Sequence, residues 1–444
     1  LVLVSLPAGA LADRLSKRSV ILAAKALELV LMLAGTASLF FDPAGYLLPL
    51  VILGLMGVQT AFLSPAKYGI LPEILPHERL SAGNGLLEMW TFLAIIAGTA
   101  AGGWLLDAAG ERSYVGGLVL SGLAGVGVAA AWAIPRVAPG RREAAIGATA
   151  RDAWSVLRAD RVLWLAVLGA TFFWSITSLL GQDVLVYLKT VLQVPDARSG
   201  IPLALFGLGV GGGSLLAARL SASKVEYGLI PLGAVGLALF TLLLGAAAPG
   251  FQGTLVLMML LGMASGLLIV PLEALLQWRA PAERRGAVIA LANVFIFSGI
   301  LGGSLVAESL SRAGVSSRGI LIGAALATLA GTVWALRMLP DALLRLVLVL
   351  MTHTFYRVRV LGRANVPSQG GALLVPNHVS FVDGLLVLAS IDRPVRFVVD
   401  AEYFDFPLFR PFLKSLGAIP ISASGGPRMI LRALRDAGRH LDQG

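Results

Sequence analysis

Apolar stretches of about twenty residues recur up to residue 338 of this chain, and that length matches the hydrocarbon thickness of a bilayer. Of the 444 residues, 57% are hydrophobic and only 14% are charged. Inside a bilayer only helices and closed barrels satisfy their own backbone groups, so we expect an α-helical membrane protein. The sequence predicts eleven spans, near residues 1–12, 19–41, 46–66, 81–106, 114–134, 161–188, 199–219, 227–247, 252–277, 286–310 and 318–338.

Basic residues are concentrated in alternate connections between these spans. The first and fifth connections hold Arg14, Lys17 and Arg18, and Arg136, Arg141, Arg142, Arg151 and Arg158. Connections rich in Lys and Arg usually face the cytoplasm. The net charge of +10 therefore reflects membrane topology rather than a surface that binds nucleic acid, and no nucleic-acid partner is expected. The first visible span would then run inward, and we expect one further span before it and a chain truncated at both ends.

An internal repeat divides the membrane part into two halves. Residues 12–16 match residues 217–221 at an offset of 205, and Pro65 matches Pro271 at an offset of 206. Two six-span halves in the same orientation would produce this spacing. In such proteins the substrate site lies between the halves, near the middle of the membrane.

Residues 9–18 resemble the loop signature of the major facilitator superfamily, although Ser16 stands where a glycine is usual. The resemblance implies the major facilitator fold with its first span missing. It also implies a cytoplasmic gate in which charged side chains pair with neighbouring helix ends, formed by Asp13, Arg14, Lys17 and Arg18. The alternative is that these are ordinary cytoplasmic loop charges.

Residues 64–73 and 84–88 resemble the lysophospholipid transporter branch of that superfamily, which implies a lysophospholipid substrate. A charge at the centre of a span costs on the order of 3 kcal/mol, so buried polar groups need partners or a wet cavity. Candidate residues for the cavity lining are Lys67, Asn84, Glu88, Gln182, Asp183 and Glu273. Alternatively, Lys67 extends from a span end to the interface, and Glu273 belongs to the gate. Lys25 and Glu28 are expected to neutralise each other on one helix face.

Beyond residue 340 the sequence changes character. We predict three domains: a transporter at 1–340, an interfacial helix and linker at 341–370, and the N-terminal part of an α/β domain at 371–444. The second segment is both basic and apolar, which favours contact with an anionic leaflet.

A polar motif, residues 376–384, follows an apolar run at 371–375 that predicts a buried strand, and it precedes a predicted helix. His378 and Asp383 lie five positions apart at this turn and are placed to touch. A histidine can act as a general base, and a carboxylate can fix its tautomer. The alternative is a helix cap with a solvated carboxylate.

The motif resembles the first signature of the glycerolipid acyltransferases, N-H-x-S-x-x-D-G, with every position filled. The resemblance implies that His378 and Asp383 are catalytic and that Asn377, Ser380 and Gly384 contact substrate. Residues 417–421 resemble the second signature, but Ser422 stands where the family usually has an Asp-Arg or similar. The third signature would follow the end of this sequence, so we expect an incomplete active site.

The resemblance implies acyl transfer from an acyl-carrier-protein or CoA thioester, with no bound cofactor. No cysteine is present and no second histidine lies near His378, so the sequence predicts no metal site.

The order of the parts resembles a fusion of a lysophospholipid transporter with a glycerolipid acyltransferase, and the resemblance implies that the chain handles lysophospholipid in the bacterial inner membrane. It would flip lysophosphatidylethanolamine inward, and a cytoplasmic domain of the 2-acylglycerophosphoethanolamine acyltransferase type would re-acylate it. Two alternatives are a drug or small-solute exporter with a degenerate acyltransferase-like tail, and a lysophosphatidic acid acyltransferase for which the spans are only an anchor.

Overall fold

The computed structural model describes residues 2–42, 45–76, 79–110, 112–138, 146–221, 225–338, 358, 360–362, 365–367, 370–380, 382–391, 395–407, 410–422 and 427–442. The chain forms two compact units, Leu1–Ala335 and Leu336–Gly444. The described part of the first unit is helical, and the second mixes helices with a short sheet.

The described helices of the first unit number thirteen. They are α1 (Val2–Arg14), α2 (Lys17–Phe41), α3 (Leu47–Gly69), α4 (Leu71–Ile74), α5 (Leu80–Ala109), α6 (Tyr114–Trp132), α7 (Ile146–Ala159), α8 (Arg161–Thr190), α9 (Asp196–Ser221), α10 (Leu229–Ala247), α11 (Phe251–Arg279), α12 (Arg285–Arg312) and α13 (Ser317–Met338).

Ten of the described helices are long and apolar enough to cross a membrane. They correspond to the second to eleventh predicted spans, which are therefore confirmed as helices of suitable length. The first predicted span forms α1, whose 13 residues are fewer than the roughly 20 that a bilayer requires. Large apolar side chains such as Leu53, Trp104 and Leu123 are more than half exposed, as a surface facing lipid requires.

Helix packing divides the first unit into two halves, α1–α6 and α8–α13. The most extensive contacts within the second half are α9 with α11 and α8 with α12, and within the first half α2 with α6 and with α3. Two further contacts, α5 with α9 and α1 with α12, join the halves. The sequence repeat relates α1 to α9, so these two contacts are equivalent under the repeat.

Glycine allows α9 and α11 to approach closely. Gly209 and Gly213 of α9 lie directly against the main chain of Met259 and Met263 of α11, where no side chain would fit. Small residues at such positions bring two helix backbones into contact and maximise their packing in a membrane.

The second unit contains three described helices and two short strands. They are α14 (Asp383–Ser390), α15 (Arg410–Ser415), α16 (Pro427–Asp442), β1 (Val398–Asp400) and β2 (Ile419–Ile421). The strands are parallel, with Val398 opposite Ile419. The predicted helix after the His378 motif is confirmed as α14.

The predicted buried strand at 371–375 is wrong. This segment forms no sheet, and Leu373 and Val375 are 75% and 85% exposed. A strand needs a neighbour to pair with, and the two described strands pair with each other. The predicted interfacial helix and linker at 341–370 fall outside the described residues, apart from 358, 360–362, 365–367 and 370.

Candidate functional site

Asp13 joins the two halves at one end of the first unit. We call this the basic end; α1 and α3 finish there, α2 and α12 begin there, and it is the end predicted to be cytoplasmic. The Asp13 carboxylate accepts hydrogen bonds from the backbone N–H groups of Gly286 (2.6 Å) and Ala287 (2.8 Å). A helix begins with unpaired N–H groups and partial positive charge, so Asp13 stabilises the start of α12 from the opposite half.

Two of the other predicted gate residues, Lys17 and Arg18, contact their own half. Lys17 is buried and forms an ion pair with Glu73. Arg18 donates to the Trp132 carbonyl at 3.0 Å and lies over that indole ring. Arg14 is half-buried, and its Nε has no hydrogen-bond partner in the part of the chain that the structure describes. Of these contacts, that of Asp13 is the one that crosses between halves.

A reciprocal amide pair forms a second link between the halves. The side-chain amide of Asn84 on α5 donates to Gln277 on α11 at 2.9 Å, and Gln277 donates back at 2.8 Å. Both side chains are fully buried. Asn84 was predicted to line a polar cavity, but the structure places it inside this closed contact. A further bond, from Asn293 to Ser64 at 2.9 Å, also crosses between halves.

Three of the predicted cavity residues come together between the halves: Lys67 on α3, Glu88 on α5 and Glu273 on α11. We call these three residues the charged cluster. The two carboxylates are buried, and each interacts electrostatically with Lys67 and with the other. Glu88 accepts a hydrogen bond from the Tyr68 hydroxyl at 3.1 Å, and the Lys67 ammonium approaches Thr91 Oγ1 at 3.4 Å. One cation and two carboxylates held out of water provide sites for groups of either charge.

Asp183 and Gln182 are placed differently from the charged cluster. Asp183 is buried and accepts a hydrogen bond from the Ser317 hydroxyl at 2.7 Å, which links α8 to α13 within the second half. Gln182 is exposed. The predicted pairing of Lys25 with Glu28 is confirmed, with their charged atoms 2.7 Å apart.

In the second unit the His378 ring and the Asp383 carboxylate are in contact. Nδ1 of His378 lies 3.2 Å from Oδ2 of Asp383. The same oxygen accepts the backbone N–H groups of Val379 (2.7 Å) and Ser380 (2.8 Å), which closes the loop before α14. These hydrogen bonds, first that from Ser380 and then that from Val379, lower the pKa of Asp383 below its ordinary value. The carboxylate is therefore ionised at neutral pH.

This contact orients the imidazole for base chemistry. When Nδ1 carries the proton toward Asp383, Nε2 has a free lone pair and can accept a proton. The His378 side chain is 69% exposed, so a substrate hydroxyl can reach it. Asn377 is also exposed, and the Ser380 hydroxyl accepts from the Val382 N–H at 3.4 Å.

Gly384 lies in the first turn of α14. A Cβ at this position would lie 3.6 Å from the Phe397 ring, an ordinary contact distance. The glycine therefore borders the residues just before β1.

Sequence reasoning missed several partners of the predicted residues. Tyr68, Gln277, Asn293 and Ser317 each complete a contact described above. A polar residue within an apolar helix indicates a buried polar contact, and Gln277 shows this pattern most clearly. Among the described residues no cluster of three or more His, Asp or Glu side chains could hold a metal ion.

Comparison with known families divides the chain in the same order. Residues 1–305 match the family described as Major Facilitator Superfamily, and residues 357–439 match the family described as Acyltransferase.

Two relatives are lysophospholipid transporters. The lysophospholipid transporter LplT of Photorhabdus laumondii is 31% identical over 285 residues, which cover 61% of this chain and 66% of the relative. LplT of Cronobacter sakazakii is 32% identical over 299 residues, covering 64% of this chain and 70% of the relative. This chain therefore spans about two thirds of the length of these relatives.

Solved structures share the fold of the membrane part. The human organic anion transporter MFSD10 superposes with a TM-score of 0.64 at 16% identity, covering 75% of this chain and 80% of that one. The E. coli fucose:proton symporter FucP superposes with a TM-score of 0.60 at 16% identity, covering 76% and 87%. At these identities the likeness concerns the fold alone.

Proposed function

This chain belongs to the Major Facilitator Superfamily, and an acyltransferase domain follows its transporter domain in the sequence. On that premise we propose a two-step function. The first step is inward movement of a lysophospholipid, lysophosphatidylethanolamine, across a bacterial inner membrane. The second step is its re-acylation on the cytoplasmic side. The relatives described above are lysophospholipid transporters, which supports a lysophospholipid as the substrate.

The charged cluster is the observation that carries the transport step. A zwitterionic head group crosses hydrocarbon poorly, because its charges lose hydration without gaining partners. The Lys67 ammonium can pair with the lipid phosphate, and the carboxylates of Glu88 and Glu273 can pair with its ammonium. The cluster includes side chains from both halves, so a head group bound there would be shielded by both.

The His378 pair supports the second step. Nε2 takes the proton from the free hydroxyl of the lysolipid, and the resulting oxygen attacks the carbonyl carbon of an acyl thioester. The carbon–sulfur bond then breaks, the imidazolium returns its proton to the thiolate, and the products are a two-chain lipid and a free thiol. Asp383 keeps the ring oriented and stabilises the imidazolium. The thiol carrier would be CoA or an acyl-carrier protein.

The order of the two steps gives transport a direction. Re-acylation removes lysolipid from the inner leaflet and keeps its concentration there low. Movement down that gradient then continues inward without a coupled ion.

Uptake into proteoliposomes tests the transport step. Fluorescent lysophosphatidylethanolamine is added outside vesicles that contain the protein, and albumin extraction separates outer from inner lipid. Lys67→Met should reduce uptake at least about tenfold, because the phosphate loses a charged partner worth about 1.5–3 kcal/mol and about 1.4 kcal/mol is a factor of ten. Lys25→Met, the same change at a lysine that pairs within one half, is the control and should retain most uptake. Failure of the wild-type protein to move this lipid, with export of an amphipathic drug instead, would favour an exporter.

Acyl transfer is tested on the same preparation with labelled acyl-CoA and acyl-carrier protein. His378→Ala should abolish acyl transfer and leave lysolipid uptake unchanged. His440→Ala is the control, because His440 contacts Arg396 instead of a carboxylate. Measurable acyl transfer that proceeds at the same rate in the wild-type protein and in His378→Ala would refute the role of this histidine.

A further inference from the structure

A cavity of about 80 Å³ lies within the second half of the transporter, between α8, α9, α10 and α11. Six of its lining residues are Leu180, Gly181, Val184, Phe206, Met258 and Leu261. A water molecule needs about 10–15 Å³ of such a cavity, so the cavity has room for several methylene groups. We call it the apolar slot.

The lining offers almost nothing to a polar ligand. Two of the lining side chains, Thr177 and Ser265, carry a hydroxyl. The Ser265 hydroxyl already donates to the Leu261 carbonyl at 2.9 Å. Thr177 Oγ1 is buried with no hydrogen-bond partner in the described chain, which is too little to hold a hydrophilic group. An empty apolar cavity of this kind favours an apolar occupant.

We propose that the apolar slot receives the end of the single acyl chain of the transported lysolipid. This inference rests on the proposed function, because it assigns the second part of the same substrate. Binding of the head group at the charged cluster would not by itself distinguish a lysolipid from a water-soluble phosphodiester. Binding of the acyl chain in the apolar slot would add this selectivity.

The slot lies beside the contact between the two halves. Phe206 of the slot is followed by Gly207, which packs against Phe92 and Ile96 of α5. Ile96 is eight residues beyond Glu88 on the same helix, or about 12 Å farther from the basic end at 1.5 Å per residue. The slot therefore lies beyond the charged cluster when both are viewed from the basic end.

This order of sites has a consequence for lipid orientation. A lipid with its head group at the charged cluster and its chain end in the slot has its head nearer the basic end than its tail. If the basic end is cytoplasmic, this is the polarity of a lipid in the inner leaflet. The bound molecule would then already be inverted relative to the outer leaflet.

Gly181 provides a direct test, because a Cβ at that position would meet no atom within 4 Å. The Cβ of Gly181→Leu would therefore meet no clash, and the longer side chain is expected to narrow the slot. Uptake of lysophosphatidylethanolamine with an 18-carbon chain should fall about tenfold relative to that with a 12-carbon chain, since each buried methylene contributes to affinity. Gly323→Leu is the matched control, because Gly323 is equally open but lies on α13. An equal loss for both chain lengths, or no loss, would overturn the proposal.

A second measurement does not depend on transport. A lysolipid with a diazirine at the end of its chain is bound to the detergent-solubilised wild-type protein, irradiated and mapped by mass spectrometry. Cross-links to Met258, Leu261 or their neighbours in the slot support the proposal, even if vesicle uptake fails and the proposed function is rejected. Cross-links confined to outward-facing positions such as Leu53 and Trp104 overturn it.

Discussion

Replacing Asn84 with alanine should open the transporter at its basic end. The Asn84 side chain forms two hydrogen bonds with Gln277 across the halves, at 2.9 and 2.8 Å, and both residues are fully buried. Asn84→Ala leaves a buried amide with its donor and its acceptor unpaired. At about 1–2 kcal/mol for each unpaired group, the closed state loses roughly 2–4 kcal/mol relative to an open state in which water solvates Gln277. Every 1.4 kcal/mol is about a tenfold change in the equilibrium, so opening should become 30- to 1000-fold more frequent.

Cysteine labelling measures this opening without background, because the native chain contains no cysteine. A reporter cysteine replaces Ala218, whose methyl group faces Gly85 across the contact between α9 and α5. Its reaction with a polar maleimide should become at least about tenfold faster in the Asn84→Ala background. Thr99→Ala on the same helix is the control, because that hydroxyl donates only to the Ile95 carbonyl one turn earlier.

A double variant decides whether the unpaired amide is the cause. Replacing both partners with leucine removes the hydrogen bonds and also the polar groups, which is often nearly neutral. Asn84→Leu with Gln277→Leu should therefore label much more slowly than Asn84→Ala alone. The reasoning is refuted if Asn84→Ala labels at the wild-type rate, or if the double variant labels as fast as that single variant.

Two further substitutions test the helix cap and the His378 loop. Asp13→Asn should lower the stability of the transporter by about 1 kcal/mol, because α12 loses a charge at its N-terminus, and the melting temperature in detergent should fall. Glu308→Gln, which removes a charge from an exposed ion pair, is the control and should leave the melting temperature unchanged. Equal melting temperatures for the wild-type protein and both variants would contradict this prediction. Asp383→Asn should reduce acyl transfer roughly 10²- to 10⁴-fold and speed deuterium exchange at Val379 and Ser380. Because the pKa of Asp383 is lowered on folding, the stabilisation of this loop is present above the ordinary carboxyl pKa of 3.8 and is lost as the pH falls through the lower folded value. The wild-type protection factors of Val379 and Ser380, which are exchange rates corrected for the intrinsic rate at each pH, should therefore be constant near neutral pH and fall only in strong acid.

The helical framework could be predicted because its signal is strong and local. Ten helices lie where the hydropathy of the sequence placed spans, since each helix satisfies its own backbone and only its length and polarity must fit the bilayer. α7 was not predicted, because its hydropathy signal is weak. Its sequence is amphipathic and lies among basic residues, so it resembled a connection, although Trp154 on α7 stacks on Phe295 of α12.

The partners of the polar residues could not be predicted from one sequence. Asn84 and Gln277 are 193 positions apart, and nothing in either local segment specifies the other. The strand predicted at 371–375 failed for a related reason, because pairing depends on a distant neighbour. The contact between His378 and Asp383 could be predicted, because two residues five positions apart across one turn have few alternative placements.

Because of the internal repeat, the charged cluster contains residues from both halves, and the distances between them change when the transporter opens. Lys67 and Glu273 occupy corresponding positions at an offset of 206, since 273 − 67 = 206, and Glu88 and Asn293 correspond at 205. The repeat thus brings equivalent positions of the two halves to the centre, while their side chains differ in charge. Opening at the basic end must move Glu273 away from Lys67 and Glu88, because they belong to different halves. A phosphate that pairs with Lys67 competes with Glu273 for that ammonium, so a bound head group would weaken one electrostatic attraction between the halves.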